Sequence, residues 1–219
     1  MEFQIAGTVA QMAVMRMQRG ETLWASKGSI VAHAAGVTWD VRVPGGLAGG
    51  LKRALSGEGI SMAHAQSSAD GQVLVLGANA PGHIAEWSLE QDGPVLTTRG
   101  AFLAAWGPEI DISVSIARRA GAAMFGGAGL VLQRVTGRGT VLVHGRGDFR
   151  RADLGASEDI LVSTGNLAAF SSRVDYDIKA VGSLSKTLFG KEGLFMTRMV
   201  GPGTVLLQSL KPAAGGGGT

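Results

Sequence analysis

Two stretches of the chain have nearly the same sequence: FGGAGLVLQRVTGRGTVLV at residues 125–143 and FGKEGLFMTRMVGPGTVLLQ at residues 189–208. Phe125 corresponds to Phe189, so matching positions are 64 residues apart. In both stretches a Gly-x-Gly sequence separates two apolar runs, and apolar and small polar residues alternate within the runs. This pattern is typical of two β-strands joined by a tight reversal. It predicts a Gly-flanked hairpin in each stretch.

A second pattern occurs three times, at residues 23–43, 95–116 and 160–181. Each segment has an apolar pair, a glycine, an Ala-rich apolar run and then an acidic residue among alternating apolar residues. The glycines are Gly28, Gly100 and Gly165, and the acidic residues are Asp40, Asp111 and Asp177. A weaker third copy of the hairpin pattern lies at residues 55–77. The sequence therefore predicts a chain of three similar β-rich parts.

From these patterns we predict an all-β fold, a β-sandwich or roll of three pseudo-repeats in a pseudo-threefold arrangement. The pseudo-repeats lie at about residues 20–90, 91–155 and 156–212 of a single domain, residues 1–212, and a flexible Gly-rich tail follows at 213–219. Helical spacing of apolar residues predicts a few short helices at residues 45–55, 116–125 and 182–189.

The glycines of the hairpins are the residues that we expect to be structurally decisive, because glycine adopts a positive φ without steric cost. These turn glycines are Gly129, Gly137, Gly139, Gly193, Gly201 and Gly203.

Composition excludes several classes of protein. The 219 residues include 35 glycines but no cysteine, which excludes disulfides, thiolate metal sites and cysteine nucleophiles. The amino terminus lacks the pattern of a signal peptide, and no apolar run reaches the roughly 18 residues of a membrane-spanning helix. We therefore expect a soluble protein of the cytoplasm.

The side chains that could carry chemistry show no catalytic or metal-binding pattern. The four histidines, His33, His64, His83 and His144, are isolated in sequence, and we expect each to be hydrogen-bonded or to face solvent rather than to bind a metal. Two groups of carboxylates, Glu158 with Asp159 and Asp175 with Asp177, are either acid–base pairs or surface residues of strands, and their positions favour the second interpretation. No nucleophile elbow or phosphate-binding loop is present. We expect no enzymatic activity, no catalytic residue and no cofactor.

The charge pattern does not favour a nucleic-acid partner. The net charge is +3 and the isoelectric point is about 9.6, but the basic residues are scattered in the pairs Lys52–Arg53, Arg118–Arg119 and Arg150–Arg151. Leu47, Leu51 and Leu55 would form an apolar stripe beside Lys52 and Arg53 on a helix. That stripe predicts either packing on the β domain or peripheral contact with anionic lipid.

Residues 164–210 resemble the AIM24 family, also called DUF124. The most specific marks are Phe-Gly-x-Glu-Gly-Leu at residues 189–194 and Gly-Pro-Gly-Thr-Val at residues 201–205, and residues 129–148 extend the resemblance upstream. The resemblance implies an all-β fold likened to the tryptophan RNA-binding attenuator, soluble bacterial members and a mitochondrial relative tied to inner-membrane organisation. No catalytic residue is established for the family.

The function that these observations favour is a non-enzymatic scaffold or protein-interaction module of the AIM24 type that forms homo-oligomers through exposed strand edges. Two alternatives stay open. One is a nucleic-acid-binding protein, and the other is a protein that binds a small molecule or sugar in a cleft between the repeats.

Overall fold

The computed structural model describes residues 1–44, 61–98, 100–117, 130–180 and 195–212, and over these residues the fold is almost entirely β. The all-β prediction is confirmed. Two of the predicted helices, at residues 45–55 and 182–189, fall outside the described residues. Of the helix predicted at residues 116–125, only Ile116 and Ala117 are described, and they end a strand. The strands are, in chain order, β1 (Glu2–Ala6), β2 (Met12–Met17), β3 (Thr22–Ser26), β4 (Ile30–His33), β5 (Val37–Arg42), β6 (Met62–Ser67), β7 (Gln72–Gly77), β8 (Gly82–Ser88), β9 (Val95–Thr98), β10 (Phe102–Trp106), β11 (Asp111–Ala117), β12 (Leu130–Thr136), β13 (Thr140–Arg146), β14 (Phe149–Leu154), β15 (Asp159–Ser163), β16 (Leu167–Ser171), β17 (Asp175–Ala180), β18 (Phe195–Val200) and β19 (Gly203–Gln208).

The strands form four antiparallel sheets. Sheet 1 has the order β1-β2-β7-β4, sheet 2 has β5-β6-β3-β10-β13-β8, sheet 3 has β11-β12-β9-β16-β19-β14, and sheet 4 has β15-β18-β17. Sheets 2 and 3 therefore have six strands each, whereas sheets 1 and 4, at the two ends of the molecule, are shorter.

Three apolar cores lie between successive sheets. The first joins Met15 of sheet 1 to Leu103 of sheet 2. The second joins Phe102 of sheet 2 to Val95 of sheet 3, and the third joins sheet 3 to Met199 of sheet 4. The sheets thus pack face to face in the order 1-2-3-4, as in a layered sandwich.

The same strand contacts occur three times along the chain. β6 pairs with β3 and β5, β12 pairs with β9 and β11, and β18 pairs with β15 and β17. Likewise β4 pairs with β7, β10 with β13 and β16 with β19. The division of residues 1–212 into three pseudo-repeats with the stated bounds stays a prediction.

The predicted hairpins are wrong in one respect. The strands on the two sides of each Gly-x-Gly do not pair with each other: β12 lies in sheet 3 and β13 in sheet 2, and β18 lies in sheet 4 and β19 in sheet 3. The chain reverses at the glycines as expected, but it passes from one sheet to its neighbour. Such corners are a usual way for strands to change sheets in a sandwich.

The turn glycines that the structure describes show why the reversal requires them. Gly139 has a φ of +130°, and a Cβ at this position would lie 2.1 Å from the carbonyl oxygen of Trp106. Gly137 and Gly203 also have positive φ, of +112° and +146°. Gly201 is different, because its φ is not positive and the approach of the Gly155 carbonyl, 2.3 Å from a built Cβ, leaves no space for a side chain. Gly129 and Gly193 lie outside the described residues.

Candidate functional site: the open edges of β15 and β4

A groove lies beside the edge strand β15, between sheets 3 and 4. β15 pairs with β18 along one edge, and within the described ranges its other edge has no strand partner. The groove has a volume of about 360 Å³ and is open to solvent. It is lined by Arg150 and Ala152 of β14, Ile160, Leu161, Val162 and Ser163 of β15, Asn166 of a 3-10 turn, and Leu207 of β19.

Most of the groove lining is apolar, and its polar groups do not converge on a reacting centre. Leu161 is 63% exposed and adjoins the apolar lining of the groove. The side-chain nitrogen of Asn166 donates to the carbonyl oxygen of Gln208 at 2.9 Å, so this amide holds the backbone. The groove is suited to apolar contact and to backbone pairing at the β15 edge.

A second open edge lies at the other end of the molecule, on β4 of sheet 1. β4 pairs with β7, and none of the described strands pairs with its other edge. Val31, Ala32 and His33 are exposed there, Val31 by 58%. The two terminal sheets therefore each present an unpaired strand with an exposed apolar side chain.

The carboxylates that sequence analysis considered are engaged in contacts that stabilise strands. Asp159 accepts a hydrogen bond from Nε of Arg198 at 2.6 Å, and Glu158 accepts one from the backbone nitrogen of Gly155 at 2.9 Å. The hydrogen bond with Asp159, and its charge, raise the pKa of Arg198, and the charges of Asp177 and Asp175 add to this effect. These contacts support the structural interpretation of both carboxylate groups.

The histidines lie on four different strands. His33 on β4 is exposed, and its Nδ1 lies 3.0 Å from the carbonyl oxygen of Ala34. His64 on β6 packs edge-to-face against Trp24 with ring centroids 4.6 Å apart, and burial lowers its pKa. The nearby charge of Arg42 lowers that pKa further.

His83 and His144 come close together, which their separation in sequence concealed. Nδ1 of His83 lies 2.8 Å from the carbonyl oxygen of Gly147. His144 on β13 is buried and has a hydrogen bond with the backbone of Ala80, as expected of a satisfied histidine, whereas its Nε2 has no hydrogen-bond partner among the described residues. Burial lowers the pKa of His144, and the charge of Arg146 lowers it further. No group of three or more His, Asp or Glu residues in the described part of the chain could hold a metal ion.

Of the basic pairs, the structure describes Arg150–Arg151. Arg150 lines the groove, whereas Arg151 contacts Asp92 at 2.9 Å and Asp153 at 3.0 Å. Arg151 is thus neutralised within sheet 3 rather than presented to a polyanion. The apolar stripe and the other two basic pairs fall outside the described residues. They comprise Leu47, Leu51, Lys52, Arg53, Leu55, Arg118 and Arg119.

The family is shown by a match over nearly the whole chain. Residues 3–210 match the family model described as mitochondrial biogenesis AIM24. The chain belongs to the AIM24 family. The resemblance seen in residues 164–210 is therefore confirmed. No helix in the described ranges has the length and apolar character needed to cross a bilayer.

The fold of this AIM24 member is similar to that of a solved structure. The X-ray crystal structure of a Streptococcus pyogenes protein superposes with a TM-score of 0.78, at 24% sequence identity, and the match covers 96% of this chain and 94% of the other. This likeness concerns the fold. No protein of curated function matches the sequence.

Sequence analysis did not find the two open edges. The apolar character of residues 160–162 and 30–32 was visible, but a strand at the edge of a sheet and a strand in its middle have similar sequences when both are apolar. Only the strand order reveals which of them lacks a neighbour.

Proposed function

We propose that the protein is a non-enzymatic scaffold or protein-interaction module of the AIM24 family that self-associates through its open strand edges. The observation that carries this proposal is the unpaired edge of β15, where Leu161 is 63% exposed beside an apolar groove. An unpaired strand edge presents backbone N–H and C=O groups that pair readily with another strand. Exposed apolar side chains along the edge add a driving force for association.

The polar side chains support an interaction role rather than catalysis. Asp159 is paired with Arg198, Asn166 holds the backbone, and His144 is buried between sheets. A general acid or base requires a titratable group within hydrogen-bond reach of a bound substrate. The groove beside β15 offers apolar surface in place of such a group. The sequence of 219 residues has no cysteine, and we place the scaffold in the reducing environment of the cytoplasm.

Light scattering coupled to size-exclusion chromatography of the full chain tests self-association. We expect a discrete oligomer at both low and high salt, because apolar contacts and backbone hydrogen bonds are screened little by ions. Leu161→Arg should reduce the molar mass to that of the monomer. Val41→Arg, which replaces a 49% exposed apolar residue on the edge strand β5, is the matched control and should leave the oligomer intact. A wild-type monomer at every concentration would refute the proposal.

A small-molecule ligand is a second candidate, favoured by the size of the groove. Its volume of about 360 Å³ falls within the range of ligand pockets, and Arg150, Ser163 and Asn166 contribute polar groups to its lining. A saturable thermal shift with one class of compound, such as sugars or carboxylic acids, would support this candidate. Loss of that shift in Leu161→Arg would place the ligand in this groove.

A further inference from the structure

Two strand pairs inside the chain join strands that correspond to the two open edges, β15 and β4. In sheet 2, β3 pairs with β10, and Ala25 lies opposite Ala104. In sheet 3, β9 pairs with β16, and Thr97 lies opposite Ala169. We call these two pairs the internal junctions, because each joins the strands of one part of the chain to the strands of the next.

The two internal junctions have the same register. Ala25 and Thr97 each precede a glycine, Gly28 or Gly100, by three residues. On the other strand, the residue at the junction directly follows a β-bulge, which lies between Phe102 and Ala104 in β10. In β16 the bulge lies between Leu167 and Ala169.

The open strands have the same landmarks. β4 has a bulge between Ile30 and Ala32, so Ala32 corresponds to Ala104 and Ala169. Val162 of β15 precedes Gly165 by three residues, so it corresponds to Ala25 and Thr97. β15 is thus the counterpart of β3 and β9, and β4 is the counterpart of β10 and β16. Among the described strands, neither of the two has the partner that its counterparts have.

Burial differs accordingly between open strands and junction strands. Leu96 of β9 is 9% exposed, whereas Leu161 at the corresponding position of β15 is 63% exposed. Leu103 of β10 is 1% exposed, whereas Val31 at the corresponding position of β4 is 58% exposed.

The groove beside β15 also corresponds to surfaces that are covered at the internal junctions. When the strand pairs of sheet 3 are aligned with those of sheet 2 at their β-bulges, Leu207 of the groove corresponds to Val143, and Ala152 corresponds to Trp87. Trp87 and Val143 are fully buried in a core that includes Ala169 of β16. The surface that β16 covers in sheet 2 has a half-exposed counterpart in sheet 3, because Ala152 and Leu207 are only partly buried.

The first internal junction repeats this arrangement. The counterparts of Ala152 and Leu207 in sheet 1 are Met15 and Leu76, which share one core with Ala104 of β10. In both internal junctions, therefore, the strand that corresponds to β4 fills the place that the groove leaves empty.

We propose that β4 of one copy of the chain pairs with β15 of a second copy, antiparallel, with Ala32 opposite Val162 and His33 opposite Leu161. Sheet 4 of one copy and sheet 1 of the other then form one sheet with the order β17-β18-β15-β4-β7-β2-β1. Its first six strands repeat the order of sheets 2 and 3. This inference rests on the proposed self-association and names the partner and the register.

The contact joins two different surfaces, so it is heterologous. After the first contact, one copy keeps a free β4 edge and the other keeps a free β15 edge, and growth continues until a ring closes or a filament forms. Each contact covers Leu161 and Val31 and pairs both open edges.

Cysteine cross-linking tests the register, since the chain has no cysteine of its own. Leu161→Cys and His33→Cys are made as separate single variants, mixed at equal concentration and oxidised. Side chains directly opposite on antiparallel strands have Cβ atoms about 5 Å apart, within reach of a disulfide. We expect a covalent dimer in the mixture and none in either variant alone. Leu161→Cys mixed with Val41→Cys, on the β5 edge, is the control and should give none.

The outcomes separate this inference from the proposed function. A covalent dimer in Leu161→Cys alone would show that two β15 edges pair with each other, and this would overturn the β4–β15 contact. An oligomer of the two mixed variants in light scattering without any cross-link would also overturn it, while self-association stands. A wild-type monomer would overturn both.

Discussion

The strands β16 and β4 occupy corresponding places in the chain but very different environments. Both follow a glycine, both have a β-bulge, and both pair on one side with a strand that comes later in the chain. All five residues of β16 are buried, whereas Val31, Ala32 and His33 of β4 are exposed. The difference is that β16 pairs with β9 on its second side, whereas no described strand pairs with the corresponding side of β4.

The exposure of β4 is therefore a consequence of its position in the chain and not of a polar sequence. Ile-Val-Ala-His of β4 is nearly as apolar as Leu-Ala-Ala-Phe of β16. An apolar strand that would be covered in the middle of the molecule stays bare at its end. The same holds for β15: β9 pairs with β16 on one side, whereas no described strand pairs with the corresponding side of β15.

The largest expected effect comes from placing a charge at the corresponding alanine of each strand. Ala169→Arg would bury an unpaired charge between sheets 2 and 3, and we expect a loss of more than about 4 kcal/mol and failure to fold. Ala32→Arg should change the free energy of unfolding by less than about 0.5 kcal/mol and abolish oligomers. Urea unfolding at dilute concentration and light scattering measure the two effects. Equal destabilisation by both substitutions would contradict the comparison.

Gly203→Val tests the turn that places β19 beside β16. Gly203 has a φ of +146°, and a Cβ there would lie 2.8 Å from Cγ2 of Val174 and 3.1 Å from Cβ of Ser171. Strain of the backbone and overpacking together should cost about 3 kcal/mol and cause unfolding or aggregation. Gly155→Ala is the control, since its Cβ would meet no atom closer than 3.5 Å. Thermal unfolding at wild-type stability for Gly203→Val would refute the requirement for glycine.

The pH dependence of stability reports on His144, the buried histidine of sheet 2. Burial lowers the pKa of His144 below its usual value near 6.5, so the unfolded chain binds a proton more readily than the folded chain. Stability is therefore full above about pH 6.5 and falls as the pH decreases below it, by at most about 1.4 kcal/mol per unit for one proton.

His144→Gln should make the decrease in melting temperature between about pH 7.5 and 5.5 smaller. The variant retains His64, whose pKa is also lowered by burial, so part of the decrease should remain. If His144→Gln had the same pH profile of melting temperature as the wild type, His144 would not be the cause of the decrease.

The smallest expected effect concerns the ion pair beside the open edge. Asp159 and Arg198 are both more than two-fifths exposed, at 43% and 49%, so their attraction is well screened. Asp159→Asn should leave the midpoint of chemical denaturation almost unchanged and should leave the oligomer in place. A loss of assembly in this variant would mean that charge, and not the apolar edge, drives association.

The sequence supports the all-β class and the positions of the reversals, since both depend on local patterns. Alternation marks β19, and the glycines at 137, 139 and 203 mark places where the backbone must turn sharply. Local patterns do not specify which strands pair, because a Gly-x-Gly turn is compatible with a hairpin and with a corner between sheets. The hairpin prediction was wrong for that reason.

The candidate site was less accessible to prediction than the fold. The groove combines Arg150, Leu161 and Leu207, which are brought together by pairing between distant strands. The exposure of Leu161 follows from the end of the strand order, which is a property of the whole topology. By contrast, a structural role for the carboxylates was the interpretation that their positions at turns and strand starts favoured, and the contact of Asp159 with Arg198 on the neighbouring strand agrees with it.

Mixing two variants that are each blocked at one edge tests the central claim most directly. Ala32→Arg keeps an intact β15, and Leu161→Arg keeps an intact β4, so together they provide a single complete contact. Light scattering of each variant alone should give a monomer, and the equimolar mixture should give a one-to-one dimer and nothing larger. A dimer of either variant alone, or a mixture that stays monomeric at concentrations where the wild type assembles, would contradict the head-to-tail contact.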